Sequence, residues 1–129
     1  MVGETDLARL LAGMAPEVVG RDWGYAVVQD VPAGVQPFAL IHEDEGLTVI
    51  APMQQLAAAG VLAEGPMARI TLRVHSSLAA VGLTAAVSGA LAQVGISANM
   101  VAGFHHDHLF LAAADADAAM ELLWAMSRD

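Results

Sequence analysis

The run His105-His106-Asp107-His108 holds the densest group of side chains that could do chemistry. Imidazole and carboxylate groups ligate zinc, nickel and iron. A regular strand places His106 and His108 on one face and Asp107 on the other, so only a turn could bring three of these groups together. The metal-ligand candidates are therefore His105, His106 and His108. The alternative, which we adopt, is a polar hairpin tip with locally hydrogen-bonded imidazoles and no bound metal or cofactor.

A second group with chemical capacity occupies residues 75–84. Ser76, Ser77 and Thr84 carry hydroxyls, and Gly82 lets a ligand or a neighbouring backbone approach closely. A helix that begins directly after this glycine would present unpaired N–H groups and a partial positive charge, which together can hold a carboxylate. Serine and threonine before a helix also act as simple caps, and the sequence alone leaves both interpretations open.

Two positions further along the chain could complete such a site. Ser97 and Asn99 fall on the strand predicted after the helix, where a hydroxyl or carbonyl oxygen could meet an amino group. His75 stands directly before the loop and could sense pH or bind a carboxylate, although a structural histidine is equally compatible with this position. Together with the loop, these positions could form an amino-acid site, while capping of the helix remains the alternative.

Catalytic motifs are missing from the sequence. It contains no phosphate-binding loop, dinucleotide fingerprint, serine nucleophile elbow or paired-histidine zinc protease motif. Serine, histidine and aspartate all occur, but no spacing singles out a nucleophile with its base. We therefore expect a protein that is not an enzyme.

The amino-acid composition limits the classes of partner that the protein can bind. The 129 residues have a mass of 13.3 kDa and a mean hydropathy of +0.57, and 57% of them are hydrophobic. Five arginines and no lysine face 14 acidic residues, which gives a formal charge of −9. This balance excludes a basic face for nucleic acid and disfavours an anionic membrane surface. The absence of cysteine excludes disulfides and thiolate chemistry, so we expect a cytoplasmic protein of bacterial type.

The hydropathy also raises the possibility of a membrane span, because no charged residue occurs between Arg73 and Asp107. The segment is rich in alanine, glycine and serine rather than in strongly apolar residues, and a span needs about 20 of those. The N-terminal residues lack the features of a signal peptide. A one-sided apolar stripe instead predicts a helix on a core, with Leu83, Val87, Leu91 and Val94 facing inward.

The elements that must position these side chains follow from periodicity and turn residues. A helix capped by Thr5 or Asp6 precedes strands at 25–29, 38–42 and 47–51 and a short helix at 53–59, with an acidic hairpin tip at 43–46. A strand at 68–75 then alternates an apolar face with a polar face of Arg69, Thr71, Arg73 and His75 that is open to solvent or a partner. A helix at 83–94, strands at 96–104 and 108–113 and a final helix complete the chain.

The order αβββα followed by βαββα predicts two comparable units, 1–64 and 65–129, divided near Glu64-Gly65-Pro66. The second unit reads as a ferredoxin-like unit that lacks its last strand. The alternative is a single α+β domain in which two hairpins arise by chance.

Two segments in the second half resemble the ACT domain, a regulatory amino-acid-binding module. They are Ile70–Thr84, which runs from strand through loop and glycine into helix, and Leu91–Asn99, which contains Gly95-Ile96-Ser97-Ala98-Asn99. The ligand asparagine of that family corresponds to Ser97 or Asn99. The whole chain resembles short bacterial proteins built from two ACT-like units, through Glu43–Thr48, Val74–Thr84 and Asn99–Phe110.

The resemblance implies an α+β fold of tandem ferredoxin-like ACT units, with antiparallel sheets and helices on one face. It also implies a non-enzymatic regulatory protein that binds a small molecule, an amino acid above all, and forms a homodimer. The alternatives are a ligand-free interaction module and a metal-binding protein that uses the tip at 105–108. The ligand-binding residues expected on this basis are His75, Ser76, Ser77, Leu78, Val81, Gly82, Leu83, Thr84, Ser97 and Asn99.

Overall fold

The structure, a computed structural model, describes residues 3–128. Its elements combine four helices and seven strands with a 3₁₀ turn at Ala113–Asp115. The helices are α1 (Leu7–Ala12), α2 (Met53–Ala58), α3 (Leu83–Gln93) and α4 (Ala116–Arg128). The strands are β1 (Pro16–Val18), β2 (Trp23–Val28), β3 (Ala39–Glu43), β4 (Gly46–Pro52), β5 (Glu64–Leu72), β6 (Ala98–Ala102) and β7 (Asp107–Ala112).

The chain forms two compact units, one of which is inserted in the sequence of the other. The inserted unit is Arg21–Met67, and the host unit takes the residues up to Gly20 and those from Ala68 onward. The first helix and strand therefore belong with the second half of the chain, which the linear order of elements does not reveal. The division of the sequence into repeats at 1–64 and 65–129 stays a prediction.

The inserted unit contains β3, β4 and β2, paired in that order, and α2; β2 also pairs with the first residues of β5, up to Met67. The predicted hairpin is present: β3 pairs antiparallel with β4, and Glu43 lies opposite Gly46, whose φ of 152° suits glycine. Thr48 Oγ1 donates a hydrogen bond to the Glu43 carboxylate, so this acid belongs to the hairpin and not only to its tip. The core consists of Ala26, Val35, Val49, Ala51 and Leu56.

The host unit contains a sheet in the order β1-β5-β7-β6. The described part of the second half of the chain supplies β5, β7 and β6 and, as expected, no fourth strand. Residues 16–18 form β1, which pairs antiparallel with β5 so that Pro16 lies opposite Leu72. This strand has no recognisable pattern in the sequence, because it has only three residues and begins with a proline that follows the helix. With β1 in place, the α+β, ferredoxin-like fold class is confirmed.

Helices α1, α3 and α4 supply the core of the host unit together with β5 and β7. In α3 the predicted stripe is buried at Leu83, Val87 and Leu91. Val94 breaks the expectation and is 60% exposed, because α3 ends at Gln93 and the chain turns at Gly95, where φ is 78°. Within residues 3–128 no helix is both long enough and apolar enough to cross a membrane.

The polar face of β5 is less open than its alternation predicts. Arg73 is exposed and Arg69 is partly buried, but Thr71 has no exposed surface. Just after β5, Arg73 Nε donates a hydrogen bond to Glu17 Oε2 in β1 at 2.9 Å. The strand also ends at Leu72 rather than at His75, so His75 belongs to the loop that follows.

Candidate functional site

A cavity of about 120 Å³ opens in the host unit at the N-terminal end of α3. Its wall combines hydroxyl groups, small apolar groups and one carboxylate. The residues that line it are Ser76, Ser77, Leu78, Ala80, Gly82, Leu83, Thr84, Ala102 and Asp107. Six of them belong to the ligand site expected from the sequence, and the structure brings these six together around one space.

The first turn of α3 faces this cavity without a side-chain cap. Gly82 is the N-cap residue, adopts a φ of 106° and offers no side chain to the helix. Helix α1 shows the usual arrangement, since Asp6 Oδ1 accepts a hydrogen bond from Arg9 N at 3.0 Å. The first N–H groups of a helix have no intrahelical partner. In α3 they are therefore available to an anionic group of a ligand.

The two serines before α3, Ser76 and Ser77, do not cap the helix. Ser77 Oγ accepts a hydrogen bond from Ala79 N at 3.1 Å, and Ser77 O accepts one from Ala80 N at 2.9 Å. These bonds close a turn two residues before Gly82. The capping interpretation of Ser76 and Ser77 is therefore wrong for this helix, and both side chains are buried in the cavity wall.

The segment before α1 fixes the other side of the loop. Glu4 N donates to His75 O at 2.8 Å, and Ser77 N donates to Glu4 O at 2.9 Å. Gly3 makes this contact possible: a Cβ there would lie 2.7 Å from Ser77 N. Sequence analysis missed this contribution, because a single bridge between distant residues leaves no periodic signal.

Three cavity residues were not among the expected ligand-binding residues: Ala80, Ala102 and Asp107, the last of which is the charged one. Asp107 begins β7 instead of forming the hairpin tip, and it is 8% exposed. Ser76 Oγ donates a hydrogen bond to its Oδ2 at 3.2 Å. Strand alternation was the available signal: Asp107 shares a strand face with the buried Leu109 and Leu111.

Four of the expected site residues do not line the cavity. His75 and Val81 flank lining residues in the loop, and Val81 is 83% exposed. Ser97 is exposed just before β6. Asn99 lies in β6 opposite Phe110, and its amide nitrogen donates to Phe110 O at 3.5 Å. A ligand role for these four residues stays a prediction.

The histidine run forms an aromatic cluster beside the cavity. The ring centroids of His75 and His105 are 5.0 Å apart, and Phe104 packs at 5.1 Å from His105. His75 Nε2 and His106 Nδ1 are buried without a hydrogen-bond partner in the described chain, so the expected local hydrogen bonds do not form at these atoms. Residues 3–128 contain no group of three metal-ligating side chains.

His108 faces away from the cavity wall that Asp107 forms, because the two are adjacent in β7. Burial, Arg69, His106 and Arg73 lower the pKa of His108 to about 4. The imidazole is therefore neutral near pH 7. The site side of β7 thus carries a carboxylate, and the opposite side carries no histidine charge at this position.

Family models of the ACT domain match the chain twice, over residues 2–68 and over residues 68–124. The chain belongs to the ACT-domain family. All of the cavity-lining residues fall within the second ACT match. ACT domains are regulatory modules that bind small molecules, often amino acids. Among curated proteins, none matches this sequence.

Several solved structures share the fold of this chain. A Vibrio cholerae protein of unknown function, described as a possible transport protein, is 37% identical, with 94% of this chain and 95% of that chain covered and a TM-score of 0.84. A protein from Agrobacterium tumefaciens is 18% identical, with 87% of each chain covered and a TM-score of 0.73. The regulatory subunit of aspartate kinase from Thermus thermophilus, in a ligand-free form, is 13% identical. The match covers 89% of this chain and 97% of that chain, with a TM-score of 0.66.

Proposed function

We propose that this protein is a non-enzymatic regulatory protein that binds an amino acid at the cavity before α3. The observation that carries the proposal is the uncapped first turn of α3, which faces a cavity lined by buried serines. The second ACT match, which contains this cavity, supports the proposal. The residues proposed to form the site keep the predicted loop 76–84 as their centre.

The chemistry of the wall suits a ligand carboxylate. N–H groups of the first helical turn and the positive end of the helix dipole stabilise an anionic group. The Thr84 hydroxyl lies in the same wall and can donate a further hydrogen bond, whereas the Ser76 hydroxyl already donates to Asp107. No arginine lines the cavity, so a carboxylate there would rely on backbone and hydroxyl donors.

A regulatory role requires that binding change something a partner can read. Ligand binding would order residues 76–82 and bias the contact between two copies of the chain, so we propose a homodimer. The exposed Leu40 and Ile41 on β3, the outer strand of the inserted unit, support self-association, because an uncovered apolar edge tends to pair. Sedimentation that detects only a 13.3 kDa species would contradict the dimer.

The location that we propose is the bacterial cytoplasm. The support comes from the acidic, cysteine-free composition, which suits a reducing compartment. The same charge balance supports a small molecule rather than nucleic acid or an anionic membrane as the partner.

The deciding experiment is a thermal-shift screen of the untagged protein against the twenty standard amino acids. A ligand at 100 times its Kd stabilises the folded state by about 2.7 kcal/mol, which gives a clear rise in Tm. A shift for one or a few amino acids supports the proposal. No shift for any amino acid contradicts it.

A second candidate is an interaction module without a ligand, and the exposed edge of β3 is the observation that favours it. In that case the screen gives no shift for amino acids or nucleotides. Replacing Leu40 and Ile41 by serine would then abolish self-association while leaving the fold intact, which sedimentation and circular dichroism would establish.

A further inference from the structure

The Asp107 carboxylate is a charged group in the cavity wall that has few hydrogen-bond donors and no cationic partner among the described residues. Asp107 is 8% exposed, and Ser76, its hydrogen-bond donor, is also 8% exposed. Within residues 3–128, the Asp107 side chain accepts one hydrogen bond, from Ser76 Oγ at 3.2 Å. Asp107 forms no ion pair with these residues. A carboxylate has about four acceptor positions, so most of its capacity faces the cavity.

A buried carboxylate is costly unless a cation or several donors compensate it. None of the five arginines lines this cavity, and the remaining wall consists of serines, a threonine, a glycine and apolar side chains. A positively charged group that enters the cavity would supply the hydrogen-bond donors that the Asp107 carboxylate lacks. The opposite requirement holds at the first turn of α3, where N–H groups favour an anion.

We propose that Asp107 receives the ammonium group of the ligand and thereby restricts the site to zwitterionic amino acids. This inference rests on the proposed function and adds a selectivity to it. The ligand carboxylate binds at the N-terminus of α3, and its ammonium group donates to Asp107. Ser76 is a positioning residue, because its hydroxyl holds one carboxylate oxygen and leaves the other oxygen for the ligand.

A bare metal ion fits the same position less well. Calcium takes six to eight oxygen ligands, and magnesium requires a near-ideal octahedron. The described chain offers no group of three metal-ligating side chains, and Asp107 is the cavity's single carboxylate. An ammonium group needs only about three acceptors, which a carboxylate, serine hydroxyls and loop carbonyls can supply.

The first test uses the wild-type chain and needs no variant. The amino acid with the largest thermal shift is compared by calorimetry with its des-amino acid and its N-acetyl derivative, which keep the carboxylate and side chain. Loss of one charge-assisted hydrogen bond weakens binding roughly 10- to 100-fold, so both analogues should have that much higher Kd. Binding of the des-amino acid within about threefold of the amino acid would overturn the inference.

The second test replaces the carboxylate by its isosteric amide in Asp107→Asn. The Kd of the amino acid should rise roughly 10- to 100-fold, whereas the Kd of the des-amino acid should stay nearly constant. Ser76→Ala should give a smaller loss, because it disorders the carboxylate without removing it. The matched control is Asp44→Asn, an exposed tip residue of the inserted unit, which should bind like the wild type.

The outcomes separate the two levels of the proposal. If no amino acid binds the wild type, the proposed function fails and the ammonium site fails with it. If an amino acid binds the wild type and Asp107→Asn equally, only the role of Asp107 is overturned. If Asp107→Asn does not fold by circular dichroism, the comparison of amino acid and des-amino acid on the wild type still decides.

Discussion

The Thr71 hydroxyl and the His108 ring nitrogen Nδ1 lie 2.9 Å apart, at hydrogen-bond distance, and join β5 to β7. Thr71 has no exposed surface, so the polar face of β5 that looked open in the sequence is closed at this point. Burial, together with the charges of Arg69 in β5 and of Arg73 just after it, lowers the pKa of His108. The imidazole in this contact is therefore neutral near pH 7.

The first prediction concerns pH. The folded pKa of His108 is about 4, below the usual 6.5. Between these values the unfolded chain binds a proton that the folded chain does not, so the free energy of unfolding falls as the pH is lowered from 6.5 to 4. Urea unfolding at several pH values should show this fall, and His108→Gln should show a shallower one. The exposed His42→Gln should match the wild type, and an unchanged slope in His108→Gln would contradict the assignment.

The second prediction tests the backbone at the start of α3. Gly82 has a φ of 106°, and a Cβ there would lie 3.2 Å from Leu7 Cδ2. Gly82→Ala should lower the free energy of unfolding by about 1–3 kcal/mol and weaken amino-acid binding. The control is Gly89→Ala in the same helix, where the new Cβ meets nothing within 4 Å. That variant should gain about 0.5–1 kcal/mol. Equal stability of the two variants would refute this account.

The third prediction concerns the apolar stripe of α3. Leu91 has no exposed surface, whereas Val94 is 60% exposed. Leu91→Ala should cost about 2–5 kcal/mol in denaturant unfolding, because it leaves a cavity in the host core. Val94→Ala should stay within about 0.5 kcal/mol of the wild type. A cost at Val94 similar to that at Leu91 would mean that the helix continues past Gln93.

The fourth prediction concerns the segment that holds the loop. A Cβ on Gly3 would lie 2.7 Å from Ser77 N, and Gly3 has a φ of 94°. Gly3→Ala should therefore release the loop and weaken amino-acid binding while the helices remain. Gly34→Ala is the control, since its φ of 83° is similar but its surroundings are open. Binding by titration calorimetry should fall in the first variant and stay constant in the second.

The fifth prediction concerns metal at the tip 105–108. His105 packs against His75, Phe104 and His106, whereas His108 contacts the Thr71 hydroxyl, so these rings do not converge on one point. Elemental analysis of protein purified without a histidine tag should therefore find no stoichiometric zinc, nickel or iron. One equivalent of metal that is lost in His105→Ala, His106→Ala or His108→Ala would instead establish the metal-binding alternative.

Hydrophobic periodicity and turn residues predict most of the fold. The α3 stripe, the hairpins and the glycine before α3 all depend on local spacing, and local spacing is legible in one sequence. Strand β1 was missed because three residues contain too little pattern to recognise. The burial of Thr71 and the position of Asp107 depend on neighbours that are distant in the sequence, namely His108 and Ser76, and no local rule encodes such pairs.

The sequence of the host unit is interrupted by 47 residues of the inserted unit, Arg21–Met67. During synthesis, α1 and β1 leave the ribosome long before β5, α3 and β7 exist to receive them. Leu10 and Met14 have no exposed surface in the folded protein, and they can be buried only after the later part of the chain has been synthesised. A fragment that starts at residue 65 would lack both side chains, so we expect it to have a smaller core than the host unit of the whole chain.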